Sequence, residues 1–143
     1  MVRIGFDVIG VGVGAMVFNE RGEVFLAQRG PKAKNERGAW EFPGGSVEYG
    51  EKLVDAIRRE FLEEYGMVIA IDELLSVDDH ILRDEGQHWV SPTYIARHIS
   101  GEPRIMEPEK CAAIGWFPLD NLPAPLSVIT QANVAAYQAR ISG

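Results

Sequence analysis

The sequence predicts an α/β fold in the broad sense that includes α+β, a mixed β-sheet covered by helices to give an α/β/α sandwich. Three observations predict it. Short apolar runs bounded by glycine, proline and polar turns recur along the chain, the pattern of strands. Residues 51–65 and 127–140 carry apolar side chains at helical spacing. The order is strands, helix, strands, helix, with several hairpin-like returns.

Each element has its own justification. Residues 1–18, "MVRIGFDVIGVGVGAMVF", are apolar enough to raise the question of a targeting segment. Asp7 interrupts the run, glycine is spread through it, and no basic stretch with an A-x-A site is present, so it reads as strand. Two apolar runs flank Asn19-Glu20-Arg21-Gly22, which predicts a β-hairpin. Gly30 to Gly38 is polar, basic and rich in breakers, hence a loop. "AWEFPGG" is a short strand stopped by Pro43-Gly44-Gly45.

Residues 51–65 form the most convincing helix. "MVIAIDELLSVDDHIL" gives one or two strands and "HWVSPTYIARHI" another, separated by "RDEGQ". A loop, "SGEPRIMEPEKC", leads to the strand "AAIGWFPL", and "DNLPAPL" is irregular. "SVITQANVAAYQAR" closes the pattern as a helix with Ser127 at its N-cap. No repeat, low-complexity tract or linker divides the pattern, so one domain over residues 1–143 is expected.

Composition limits the function. With 46% hydrophobic and 24% charged residues, the chain has the balance of a soluble globular domain. A net charge of -7 argues against binding a nucleic acid polymer or an anionic membrane surface. An anionic substrate would therefore need a local cation. No run approaches the length of a membrane-spanning helix. Cys111 is the sole cysteine, which excludes an intrachain disulfide and points to a reducing, cytoplasmic compartment. It reads as a small buried hydrophobe rather than a nucleophile.

The chemistry concentrates in the first helix. On a wheel of about 100° per residue, Glu60, Glu63 and Glu64 share one arc beside the apolar arc of Leu53, Val54, Ile57 and Phe61. Like charges at this spacing repel, by roughly a few tenths of a kcal/mol per pair. Clustered carboxylates at the edge of a core are costly unless a cation neutralises them. Hard oxygen ligands suit Mg²⁺, with Mn²⁺ as a substitute. The glycine loop before the helix would let a backbone carbonyl approach the same ion.

From Gly45 to Met67 the spacing is G-x5-E-x7-R-E-U-x-E-E-x-G-U, with U a bulky apolar residue. This resembles the Nudix box of the MutT-type hydrolases, and every fixed position matches. "AWEFPGG" and "WFPLDNLP" resemble the family's flanking segments, and "MEPEKC" is similar to a stretch of its small nucleoside-triphosphate diphosphatases. The resemblance covers roughly residues 10–123. It implies a Nudix-type sandwich and Mg²⁺-dependent hydrolysis of a nucleoside triphosphate, normal, oxidised or modified. Water attack on phosphorus would release a nucleoside monophosphate and pyrophosphate.

Carried over residue by residue, the resemblance implies Glu60 and Glu64 as metal ligands and Glu63 as a ligand or close partner. Gly44 would lend its carbonyl, and Glu60 also matches a position proposed for the general base. Arg59 and Glu51 would orient the glutamates through an ion pair, although two turns of a helix would separate them. A further acidic ligand comes from Glu107 or Glu109, with Glu109 preferred. Arg29 and Gly45 are expected at the substrate phosphates. Trp89, with His88 and Tyr94, is a candidate for stacking on a base.

Lys32 and Lys34 could steer an anion or simply be solvated. Trp40 and Trp116 are assigned to core or pocket wall, and His80 and His98 to structural or exposed positions. A homodimer is common in the family. Three alternatives remain: hydrolysis of ADP-ribose, of a dinucleoside polyphosphate, or of a nucleotide sugar. The first two tend to carry a proline or a tyrosine shortly beyond the box, and Asp78 to Gly86 holds neither. A non-catalytic, metabolite-sensing domain would more often have a degraded box.

Overall fold

The computed structural model describes residues 1–143. In chain order it contains β1 (Gly10–Phe18), β2 (Val24–Arg29), β3 (Trp40–Glu41), β4 (Gly44–Ser46) and α1 (Leu53–Tyr65). β5 (Val68–Leu82), one 3-10 turn, β6 (Gln87–Ser100), β7 (Cys111–Phe117) and α2 (Val128–Ser142) follow. The sheet runs β3-β2-β1-β6-β5, with β4 paired to β1 and β7 to β2. β1 and β6 are parallel and the other pairs antiparallel, so the sheet is mixed.

Strand periodicity sorts the apolar residues onto two faces. Val13, Ala15 and Val17 of β1 and Phe25 and Ala27 of β2 pack with Ile57, Phe61 and Tyr65 of α1. Met16, Val24 and Leu26 point the other way, where Leu75 and Ile95 join them and Val134, Ala136 and Tyr137 of α2 close the layer. Phe25 and Phe61 are fully buried, and each such side chain contributes about 1.5–3 kcal/mol. The α/β/α sandwich expected from the sequence is the observed architecture.

Three elements differ from expectation. Residues 1–9 are not strand; Arg3 and Asp7 close a turn, with the Arg3 backbone N–H donating to the Asp7 carboxylate at 2.8 Å. Only an isolated bridge joins Ile4 to Val8. α1 starts at Leu53 rather than residue 51. It ends at Gly66, whose left-handed φ of 69° suits a residue without a Cβ. Gly44–Ser46, expected within the stop after the short strand, pairs with β1 as a strand of its own. The segment after the box, expected as one or two strands, is one continuous strand, β5, bent by three register shifts against β6. Ser127 caps α2 as expected, accepting from the Thr130 N–H at 3.3 Å. Neither helix is long and apolar enough to cross a membrane.

Candidate active site

α1 packs against β4, and its Glu60 carboxylate meets the backbone of Gly45 in that strand. Both glycines of β4 are required by contact. A Cβ on Gly44 would overlap the Val13 carbonyl of the paired strand, and one on Gly45 would overlap the Glu60 carboxylate. The absence of side chains is what lets strand and helix carboxylate meet.

The helix also sorts its three glutamates. Relative to the buried Ile57, Glu64, Glu60 and Glu63 lie about 20°, 60° and 120° around the axis. Glu60 and Glu64 accordingly line a cavity of about 460 Å³ with Gly44 and Gly45. Glu63 is turned away; its side chain is 59% exposed and accepts from Arg59 Nη1 at 3.3 Å. In the position described, it serves Arg59 rather than the cavity.

Burial, with the Glu60 carboxylate next to it, pushes the Glu64 carboxyl up to about 9. Two such groups cannot both ionise cheaply without a cation between them. No three carboxylate, imidazole or thiolate side chains converge on one point. The donors nevertheless have the right chemistry for a divalent cation: two clustered carboxylates, side-chain-free backbone and a third carboxylate opposite.

Of the two acidic candidates from the later loop, Glu107 lines the cavity and the preferred Glu109 does not. The loop before β7 is tied to the end of α1, since Met106 N–H donates to the Glu64 carbonyl at 3.1 Å and Arg104 N–H to that of Tyr65. This tie sets Glu107 on the cavity wall, where Lys110 Nζ pairs with it at 3.2 Å. Glu109 is exposed and contributes its backbone carbonyl to the Lys32 N–H at 3.0 Å.

Arg59 and Glu51 do meet. Glu51 precedes the helix, so the expected two-turn gap does not exist. Arg59 Nε and Nη2 donate to the two Glu51 oxygens at 2.7 and 2.9 Å, a bidentate pair. Nη1 donates to Glu60 at 2.9 Å, and Nη2 also reaches the Ser46 carbonyl at 3.2 Å. The Arg59 pair and the Glu48 N–H hold the Glu51 carboxyl down at about 2.

The expected substrate contacts are more mixed. Arg29 lines the cavity, but its Nη1 is engaged with Glu41 at 2.9 Å and its Nε with the Asn35 carbonyl at 2.8 Å. Nη2 keeps donors for a phosphate. Lys32 and Lys34 also line the cavity. Trp89 lines it too, yet is only 7% exposed. Its Nε1–H donates to Gln87 at 2.9 Å, and the Lys34 ammonium sits 5.3 Å from its ring centre. A stacking base would have to displace that ammonium.

Tyr94 packs against the α1 layer instead, and His88 is outside the cavity. Trp40 packs on Phe117, and Trp116 on Phe25 and His98. The Cys111 thiol also lines the cavity, and burial pushes it up to about 11, so it stays protonated at neutral pH.

Several lining residues carried no clear signal in the sequence. Glu41 is raised above the usual carboxylate range by burial, against the pull of Arg29. Its place on β3, paired with β2 and facing opposite to Phe42, was the available clue. Glu36 and His80 come together from distant segments, with His80 Nε2 3.4 Å from a Glu36 oxygen. His80 is buried rather than exposed, and that nitrogen makes no aligned hydrogen bond. Asn35, Thr93 and Asn133 complete a polar wall, with Gln87 accepting from Asn35 behind it. Only the tertiary fold assembles these groups.

Comparison with known proteins agrees with this geometry. The NUDIX domain family profile matches residues 8–138. The chain is similar to the 8-oxo-dGDP phosphatase NUDT18 of Mus musculus, 35% identical over 115 residues, covering 78% of this chain and 33% of that protein. It is 37% identical over 94 residues to the ADP-ribose pyrophosphatase of Methanocaldococcus jannaschii, covering 64% of this chain and 54% of the relative. The chain thus spans about a third to a half of these curated relatives. A crystal structure of a MutT NUDIX hydrolase from Burkholderia pseudomallei superposes with a TM-score of 0.83 at 41% identity, covering 90% of this chain and 98% of that one. With its motif intact, its sandwich matched and its helical carboxylates gathered at one cavity, the chain belongs to the Nudix hydrolase family.

Proposed function

We propose that this protein hydrolyses nucleoside triphosphates, normal, oxidised or modified, to nucleoside monophosphate and pyrophosphate with the help of Mg²⁺ or Mn²⁺. The observation that carries the reading is the gathering of Glu60, Glu64, Gly44 and Gly45 on a cavity that neutral polar and aromatic residues also line. Its volume suits a nucleotide. Glu60, Glu64, Glu107 and the Gly44 carbonyl would hold the cation, which when bound polarises phosphate oxygens and offsets the charge of the leaving group.

The chain's own residues then divide the work. Arg59, anchored on Glu51, fixes the Glu60 carboxylate through one oxygen. The other Glu60 oxygen is left to the cation, with Glu63 the second group that Arg59 holds nearby. Lys32, Lys34 and the Arg29 Nη2 donors meet the phosphate charge, beside the open backbone of Gly45. The Trp89 and Asn35 wall faces the nucleoside.

A second reading has a specific support: NUDT18 is named for acting on a nucleoside diphosphate, and the archaeal relative for acting on ADP-ribose. The purified protein should be offered common and oxidised nucleoside triphosphates, the matching diphosphates, ADP-ribose, a dinucleoside polyphosphate and a nucleotide sugar. Pyrophosphate released from triphosphates, abolished by EDTA, is the expected result. Orthophosphate from diphosphates, or AMP from ADP-ribose, would replace it with the second reading.

A further inference from the structure

Two chemically distinct sets of residues line the cavity. One is the carboxylates and glycines. The other is Asn35, Trp89, Thr93 and Asn133, neutral donors, acceptors and one indole. That composition suits the sugar and base of a nucleotide rather than its phosphates. The Gly30 to Gly38 loop forms the roof and carries Lys32, Lys34 and Asn35.

This loop is gripped at its centre by the strand that leads into it and by three distant elements. Gln87 of β6 donates through Nε2 to the Lys34 carbonyl at 3.0 Å and accepts from Asn35 Nδ2 at 3.1 Å. Arg29 of β2 donates to the Asn35 carbonyl at 2.8 Å. Glu36, next in the chain, accepts through Oε1 from the Val128 N–H at the start of α2, at 2.9 Å. Its Oε2 faces His80 Nε2 of β5 at 3.4 Å.

Two features mark Glu36 and His80 out. Glu36 is the sole non-glycine residue with positive φ, at 45°. Such a conformation persists only where the surroundings over-determine it. His80 Nε2 is sealed from solvent and has no aligned hydrogen-bond partner, with the Glu36 carboxylate its charged neighbour. The other charged groups around the pair are Arg29 and Glu41. The backbone of the roof is therefore held in an unfavourable shape by the contacts of the Glu36 carboxylate with Val128 and His80.

We propose that Glu36 and His80 are positioning residues for substrate: together they clamp the loop roof onto β5 and α2 so that Lys34 is held for the phosphates and Asn35 for the nucleoside. The proposal rests on the nucleotide reading above. Loss of the clamp frees the roof and weakens substrate placement, while Glu60, Glu64 and Arg59, held by other contacts, keep their arrangement.

The test compares Glu36→Ala, His80→Ala, the double variant, and the milder Glu36→Gln and His80→Gln, the last two guarding against loss of the fold. Each alanine variant should raise KM for the preferred nucleoside triphosphate about tenfold with kcat changed less than about twofold, and the double variant should be no worse than either single. Glu36→Gln, which can still accept from the Val128 N–H, should lie closer to wild type. Mn²⁺ binding to the free proteins should be unchanged. Amide exchange in residues 32–38 should quicken in the alanine variants, a readout that needs no turnover. A fall in kcat at constant KM, additive effects, or unchanged exchange in that loop would overturn the clamp. A wild-type protein that turns over no nucleoside triphosphate would overturn the functional reading, and the exchange measurement would still decide whether the pair holds the roof.

Discussion

Arg59 reaches three carboxylates and a carbonyl with one guanidinium, and its geometry makes it hard to replace. A lysine has the charge but not the planar fork, so it cannot grip both Glu51 oxygens and still hold Glu60. Arg59→Lys should lower kcat by roughly tenfold or more with a small change in KM, checked by steady-state kinetics. Glu51 makes a prediction about pH. Its carboxyl sits at about 2 in the folded protein against an ordinary 4.5, so its pairing stabilises the fold above pH 4.5 and is lost as pH falls towards 2. Glu51→Gln has no such carboxylate. The gap in melting temperature between wild type and Glu51→Gln should therefore shrink as pH drops from 4.5 towards 2. A gap that stays constant with pH would show that the pairing does not contribute.

At the scale of elements, the junction of β4 with α1 decides whether the site exists. Gly45 meets the Glu60 carboxylate so closely that any side chain must push it aside. Gly45→Ala should cost about a hundredfold in kcat, the usual consequence of displacing a catalytic group by about 1 Å. Its melting temperature should fall only slightly, because the contact is with the end of a side chain. Gly44→Ala should differ, since its clash is with the backbone of β1, and the melting temperature should fall clearly. Circular dichroism melts alongside kinetics separate the two. Element patterns also explain what could be read beforehand. The period of α1 gave the apolar face, and the turn signals gave the hairpin of β1 and β2. The start of α1 was misjudged because Glu51 lies in the turn beyond Gly50, where its carboxylate caps the Glu48 N–H instead of joining the helix.

At the scale of the whole molecule, the acidic cavity and the net charge of -7 make cation binding a matter of stability as well as chemistry. A ligand that binds only the folded state stabilises it by about 2.7 kcal/mol at a hundred times its dissociation constant. Mn²⁺ should therefore raise the melting temperature of the wild-type protein, and EDTA should reverse the rise. Glu64→Gln should show little of that rise and almost no turnover, while melting near the wild type without metal. An equal Mn²⁺ shift in Glu64→Gln would remove Glu64 from the ligand set.

The chain's linear pattern was enough to determine the sandwich and the helix on which Arg59, Glu60 and Glu64 stand together, because these depend on spacing along one element. Tertiary structure decided what depends on distance between elements. It turned Glu63 outward, set Glu107 rather than Glu109 on the cavity wall through the tie between the β7 loop and α1, and committed part of Arg29 to Glu41. It also brought His80 from β5 against Glu36 from the loop. Those two lie forty-four positions apart (80 minus 36), and no local periodicity carries information over that separation. Only the closing of the sheet and the docking of α2 put them side by side.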